Sequence, residues 1–283
     1  MKKVLVISGS PRKRGNTMGI VKTLENLMKK EDQNLEFKYL HLIDKELKWC
    51  RGCWRLNCLN KGGTSCPLND DSKEIKAELD SADGLIFATP CYGHLPSALF
   101  ANFTNRFMYL DHLPEYIGLP TLIIVTAETD GASRAANYID TMFALPWGCN
   151  VAGKLAVMHT FYKTNEKYYA KVFKKIVRAK DRFLHALDTE EPSKPTLMQY
   201  LCFLYNRDEA ILYQEALPGR YEFWHNKGWL QSGYYYDVKI PVLYKLSGQL
   251  VLLALNSYVK RGIGKNHQQR LARYYKQKQF FVK

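Results

Sequence analysis

Three stretches of the 283-residue sequence carry side chains whose types and spacing suit chemistry. In "VLVISGSPRKRGNT" (Val4 to Thr17), a short apolar run ends in a loop of small, hydroxyl and guanidinium residues, and a helical pattern follows. The unbonded amides at a helix start, with the helix dipole behind them, favour an anion. Gly9 and Gly15 permit tight turns, while Ser8, Ser10, Arg12, Asn16 and Thr17 supply donors, so the loop suits a phosphate monoester. It matches neither GxxxxGKS/T nor GxGxxG, which disfavours a nucleoside triphosphatase and a standard dinucleotide fingerprint. The plain alternative is a polar loop that only caps a helix.

The second stretch holds Cys50, Cys53, Cys58 and Cys66, separated by two, four and seven residues. Four thiols so close together can wrap a tetrahedral zinc or a four-iron cluster, both of which need deprotonated sulfur; reduced or paired thiols without metal are the alternative. The third is "TPCYGHLP" (Thr89 to Pro96). A rigid proline, a ring able to stack and a glycine permitting close approach suit a flat heteroaromatic ligand. An ordinary turn with a packed tyrosine competes with that reading. In this stretch His94 is either a proton donor or a surface histidine, and Cys91 either a redox thiol or a small residue packed under a ring.

These stretches need a scaffold, and the first half of the chain alternates between two periodicities. "KVLVIS", "LEFKYLHL", "GLIFAT", "PTLIIVTA" and "GKLAVMHT" read as strands. Helical patterns fall between them: one through Ile20, Val21, Leu24, Leu27 and Met28, one through Ile75 and Leu79, others over Ser97–Met108, Ser133–Phe143 and Asn165–Leu187. Asp70, Asp71 and Ser72 offer N-caps for the second. Five strands alternating with helices argue for a doubly wound parallel α/β sheet, in which ligands sit at the carboxyl ends of the strands. Loops Ser8–Thr17, Thr89–Pro96 and Thr126–Ser133 should therefore converge.

"TEEPSKPT" (Thr189 to Thr196) is the best boundary, giving a main domain over 1–188 and an extension over 189–283. The extension is rich in aromatic residues; Trp224, Trp229, Tyr234, Tyr235 and Tyr236 either cover a ligand or, by preference, build an aromatic mini-core or dimer contact. The formal charge is +14, and the last 24 residues hold eight Lys/Arg without one Asp or Glu. Such a tail can meet nucleic acid, anionic lipid or an acidic partner, although a solvated basic helix end is the simpler expectation. "YKLSGQLVLLALNSYVKRGIGK" is likewise read as a packed helix in preference to one on a membrane surface. Absence of a signal-peptide core or membrane-length apolar run makes cytoplasmic residence the expectation.

"SGSPRKRGNT", "TPCYGHLPSALFANFTNRF" and "TAETDG" together resemble the three flavin-binding segments of the flavodoxin-like NAD(P)H-dependent FMN reductases, including the iron–sulfur flavoprotein branch. The resemblance spans roughly Lys2 to His159. It implies strand order 2-1-3-4-5 for the five-stranded sheet, with the C-terminal extension mostly helical. It further implies that Ser8, Ser10, Arg12, Asn16 and Thr17 hold the FMN phosphate. Pro90, Cys91, Tyr92 and Gly93 would lie against the isoalloxazine ring, and Thr126, Glu128 and Gly131 would border it. Where the family often has Lys and Asp in the third helix, this chain has Ala101 and Asn105, keeping Phe103 and Arg106. In the iron–sulfur branch a compact cysteine motif occupies the loop that here carries Cys50, Cys53, Cys58 and Cys66, although its middle spacing is tighter.

The expected activity is hydride transfer from NAD(P)H to FMN, with electrons passed to a flavin, quinone or other small acceptor. Two alternatives stand beside it. One is an electron carrier with a 4Fe-4S cluster and a ferredoxin-like partner; the other is a non-enzymatic flavin/thiol redox sensor acting through the basic tail. A homodimer is expected from the resemblance; nucleic-acid binding is not expected.

Overall fold

The structure, a computed structural model, describes residues 1–53, 58–61, 66–189, 193–263, 269 and 273. Residues 54–57 and 62–65 of the cysteine-rich stretch, and most of the basic tail, lie outside the described residues. The chain divides into two compact units. The first comprises Met1–Cys50, Asn69–Met108 and Tyr116–Glu191, and the second Arg51–Leu68, Tyr109–Glu115 and Pro192–Lys283.

The first unit is a parallel sheet with helices. Strands β1 (Lys2–Ser8), β2 (Leu35–His41), β3 (Gly84–Tyr92), β5 (Pro120–Ala127) and β6 (Asn150–Met158) run parallel in the order β2-β1-β3-β5-β6. A two-residue strand, β4 (Leu95–Pro96), pairs antiparallel with the end of β3. It is an addition to the expected five-stranded order 2-1-3-4-5, and the pairing of the five parallel strands is the expected one. The centres of β1, β3 and β5 (Val4 to Ile7, Leu85 to Ala88 and Leu122 to Val125) are buried apolar runs, as required where both faces of a parallel sheet are covered.

One face is covered by α1 (Asn16–Glu31) and α7 (Glu166–Asp188), through Met18, Val21, Leu24 and Met28 of one and Val172, Ile176 and Phe183 of the other. Aromatic rings pack elsewhere in the unit: Trp147 meets Phe87 of β3 edge-on at 5.9 Å and touches Phe103 and Phe107 of α4 (Ala98–Phe107). Three boundaries differ from the periodicity. The last strand starts at Asn150 and ends where the short helix α6 (His159–Thr164) opens, and a bulge at Ala152 moves its pairing with β5 by one residue. α5 (Ala132–Ile139) widens after Ile139, with the Leu145 amide bonding back to the Asp140 carbonyl at 2.8 Å. α3 (Ser72–Asp80) lacks a side-chain cap from Asp71, and Asp70 instead accepts from the Ser72 amide at 3.1 Å.

The second unit holds the short helix α2 (Cys58–Lys61), α8 (Leu197–Leu212), α9 (Pro218–Asn226) and α10 (Val242–Ile263). Thr196 and Gln199 form a reciprocal capping box at the start of α8, and Pro218 opens α9, where its missing N–H costs nothing. Phe203, Trp224, Trp229, Tyr234 and Tyr235 stack into an aromatic core, with Phe203 and Tyr235 ring centroids 4.8 Å apart. The buried guanidinium of Arg220 donates to Glu209 and to Asn206, each at 3.0 Å. These aromatic residues build a mini-core within their own unit.

Candidate functional site

β1, β3 and β5 stand side by side and end at the same edge of the sheet, so the loops that follow them meet. The first leaves β1 with the Gly9 amide donating to the Ala88 carbonyl of β3 at 2.8 Å. Gly9 has no room for a side chain: a Cβ there would lie 2.7 Å from Phe100 Cβ and 3.0 Å from Ser97 Oγ. Ser97 fixes this approach by donating to the Gly9 carbonyl at 2.6 Å while accepting from the Phe100 amide, which caps α4. Thr89 supports it, its hydroxyl 3.2 Å from that of Ser97.

Beyond Gly9 the loop folds on itself. Ser10 Oγ donates to the Arg12 carbonyl at 3.0 Å, and Gly15 N donates to the same oxygen at 3.1 Å. Ser8 and Ser10 are buried, whereas Arg12, Arg14 and Asn16 are exposed. Lys13 pairs with Asp44 at 2.6 Å; Arg12 and Arg14 make no ion pair among the described residues. α1 begins after Gly15 with no side-chain cap and no acidic residue in its first turn. Its leading amides and positive dipole end follow directly on a loop that carries two exposed arginines, a combination suited to a phosphate dianion. Thr17 Oγ1 lies 2.6 Å from Thr126 Oγ1, both buried, which ties this helix start to the end of β5.

The second loop is a hairpin. Tyr92 pairs with Leu95, and the two residues between them, Gly93 (φ 57°) and His94 (φ 66°), are both left-handed. That is the dihedral pattern of a two-residue turn whose twist matches its strands, and it places a histidine where glycine or asparagine is the usual choice. Tyr92 is half exposed, with Pro90 and Cys91 partly covered behind it. Burial raises the Cys91 thiol pKa above its ordinary range; a hydrogen bond involving the His94 backbone opposes this and the charge of Asp130 adds to it.

The third loop closes on the second. Gly131 has φ 81°, and a Cβ on it would lie 3.0 Å from both Cys91 Sγ and His94 Nδ1. His94 Nε2 stands 3.8 Å from Asp130 Oδ2, both side chains largely in water. The Glu128 carboxylate accepts from Thr160 Oγ1 at 2.8 Å, and its carbonyl accepts from the Thr160 amide. The three segments named from the sequence therefore share one edge. Reading by residue type missed Thr89, Ser97 and Asp130; a serine immediately before an apolar helix is the one available signal, that of an N-cap.

A separate clamp holds the base of the cysteine-rich stretch. Arg106 of α4 donates to both oxygens of Asp70, to Ser72 Oγ and to the Lys48 carbonyl. Asn102 donates to the Leu47 carbonyl at 2.8 Å, and the Lys48 amide donates to Asp70 at 3.0 Å. Cys50 falls in the first unit and Cys53, Cys58 and Cys66 in the second. Among the described residues no group of three or more His, Cys, Asp or Glu side chains is arranged to hold a metal ion. The loop after β1 fits an FMN phosphate, because an uncapped helix start, a Gly9 backbone with no space for a Cβ and two arginines without an ion pair among the described residues coincide.

The family model described as NADPH-dependent FMN reductase matches residues 2–163. An iron–sulfur flavoprotein of Clostridioides difficile is 30% identical over 202 residues, covering 71% of this chain and 86% of that protein. An iron–sulfur flavoprotein of Archaeoglobus fulgidus is 28% identical over 236 residues, covering 81% of this chain and all of that protein. Among solved structures, RosB with its bound 8-demethyl-8-formylriboflavin-5'-phosphate aligns over 86% of this chain and 92% of its own, with a TM-score of 0.52 at 14% identity. An oxidoreductase from Corynebacterium diphtheriae covers 68% of this chain and 99% of its own, with a TM-score of 0.50 at 20% identity. At such identities the structural likeness speaks for the fold.

Proposed function

The chain belongs to the NADPH-dependent FMN reductase family, FMN- and NAD(P)H-using oxidoreductases, and from that membership we propose that it reduces a small acceptor, a free flavin or quinone, at the edge of the sheet where its three loops meet. Bound FMN would supply the redox chemistry in this reading, two-electron transfer between NAD(P)H and the acceptor. The chain holds and orients it. Ser8, Ser10, Arg12, Asn16 and Thr17 take the phosphate; Pro90, Cys91, Tyr92 and Gly93 take the ring on one side, and Thr126, Glu128 and Gly131 border it. His94, half exposed at the hairpin tip beside Asp130, can donate a hydrogen bond to an acceptor there. The observation that carries the reading is the start of α1, which has no side-chain cap and no acid in its first turn and follows two arginines that make no ion pair among the described residues. The test is FMN titration followed by NAD(P)H oxidation with added flavin or quinone. Arg12→Ala with Thr17→Ala should weaken FMN binding by about a hundredfold or more, given the loss of a charge-assisted contact and a hydroxyl contact. Unchanged affinity would sink the phosphate assignment.

A second reading is favoured by the names of the two relatives. Cys50, Cys53, Cys58 and Cys66 have the donor chemistry of a four-iron cluster, which would make the protein an electron carrier for a ferredoxin-like partner. Iron and sulfide measured on protein purified without oxygen decide it: about four of each per chain supports the carrier, and neither leaves the reductase alone.

A further inference from the structure

The C-terminal helix α10 is apolar on more sides than its own unit covers. It packs on α8 through Gly248, where a Cβ would lie 2.3 Å from Leu204 Cδ1 and 3.2 Å from Tyr200 Cε1. Helical periodicity of roughly 100° per residue then sets Val242, Leu243, Leu246, Leu250 and Leu253 within an arc of about 100° on the opposite side. All five are open to solvent, Leu243 with 74% and Leu250 with 68% of its surface exposed. Single exposed leucines are ordinary, but a continuous stripe of them on one helix is the mark of a binding face.

Charge indicates what the stripe meets. From Val238 to Lys283 the sequence has ten Lys/Arg and no Asp or Glu. Lys245 and Arg261 of the helix are themselves exposed. A second copy docked on this face about a twofold axis would bring two acid-free, cationic segments together, which repel. Nucleic acid would answer the cations but leave the leucines in water. An anionic phospholipid surface answers both, since leucines enter the acyl boundary while lysine and arginine meet the headgroups. No described helix is long and apolar enough to cross a membrane, so the contact is with the surface.

We propose that α10 docks the protein on anionic phospholipid membranes, with Leu243, Leu246, Leu250 and Leu253 inserted and the exposed Lys245 and Arg261 meeting the headgroups. This inference is independent of the flavin reading. The test is flotation of the full-length protein with phosphatidylcholine vesicles, with and without phosphatidylserine, at low and high salt. The protein should float with the phosphatidylserine vesicles and less so in high salt. Leu246→Glu with Leu250→Glu should weaken this by about tenfold or more, leaving the melting temperature and NAD(P)H oxidation unchanged because both leucines face solvent. No flotation by the parent protein, or equal flotation by the double variant, would overturn the proposal. So would a parent protein that ignores vesicles but self-associates through leucines whose replacement makes it monomeric.

Discussion

Arg106 closes on Asp70 with both carboxylate oxygens engaged, at 2.8 and 3.1 Å, and only 2% and 0% of the two side chains reach water. The same guanidinium bonds the Lys48 carbonyl, so one side chain of α4 gathers both ends of the cysteine-rich stretch. The pair ties α4 to the loop that precedes α3.

Removing one partner of such a buried pair strands the other charge. Asp70→Asn should cost about 3–5 kcal/mol at neutral pH, measured by urea unfolding. Burial alone would raise the Asp70 pKa, but hydrogen bonds from Ser72 and the Lys48 amide, with the charge of Arg106, more than offset it and hold it below the usual carboxylate range. A depressed folded pKa contributes stability above the unfolded value of about 4 and loses it as pH falls through the folded one. The gap between parent and Asp70→Asn should therefore narrow in acid; a gap independent of pH would count against this account.

Thr17 and Thr126 lend themselves to a double-mutant cycle. Either Thr→Val change strands one buried hydroxyl and should cost about 1–3 kcal/mol, while changing both should be nearer neutral. FMN affinity should fall with Thr17→Val more than with Thr126→Val, since Thr17 stands at the phosphate loop. Equal losses would mean that the threonine pair acts only through the fold.

Gly9→Ala should destabilise the protein and weaken FMN binding together, because its Cβ would meet Phe100 Cβ at 2.7 Å. Overpacking of this kind costs about 1–3 kcal/mol. A variant with parental melting temperature and FMN affinity would show that the loop can shift without consequence.

Cys91 should behave as a neutral thiol. Its pKa is raised, chiefly by burial, so alkylation by iodoacetamide should be slow at neutral pH and quicken only in alkaline solution. Cys91→Ala should keep NAD(P)H oxidation. Rapid labelling of Cys91 at neutral pH, read by mass spectrometry, would contradict this.

His94 has φ 66°, a backbone conformation that costs a residue with a Cβ about 1–2 kcal/mol. His94→Gly should therefore raise the melting temperature while leaving FMN affinity intact. A fall in stability would mean that the exposed contact with Asp130 outweighs the strain.

Local patterns in the sequence specify the five parallel strands, the helices between them and the small-residue loop after β1. Buried runs of β-branched residues, a helical period and a small-residue loop at their junction need no distant partner to be recognised. Tertiary structure decided what depended on residues far apart: Thr17 against Thr126 across 109 positions, Arg106 against Asp70 across 36, and Ser97 against Gly9 across 88. It also decided the left-handed turn at His94, because β4 exists only once Leu95 has Tyr92 to pair with. The sequence reads the C-terminal helix as packed, and it packs on one side, through Gly248. Only the folded unit shows which of its leucines find a neighbour and which are left facing water, since burial belongs to the assembled surface and not to any single helix.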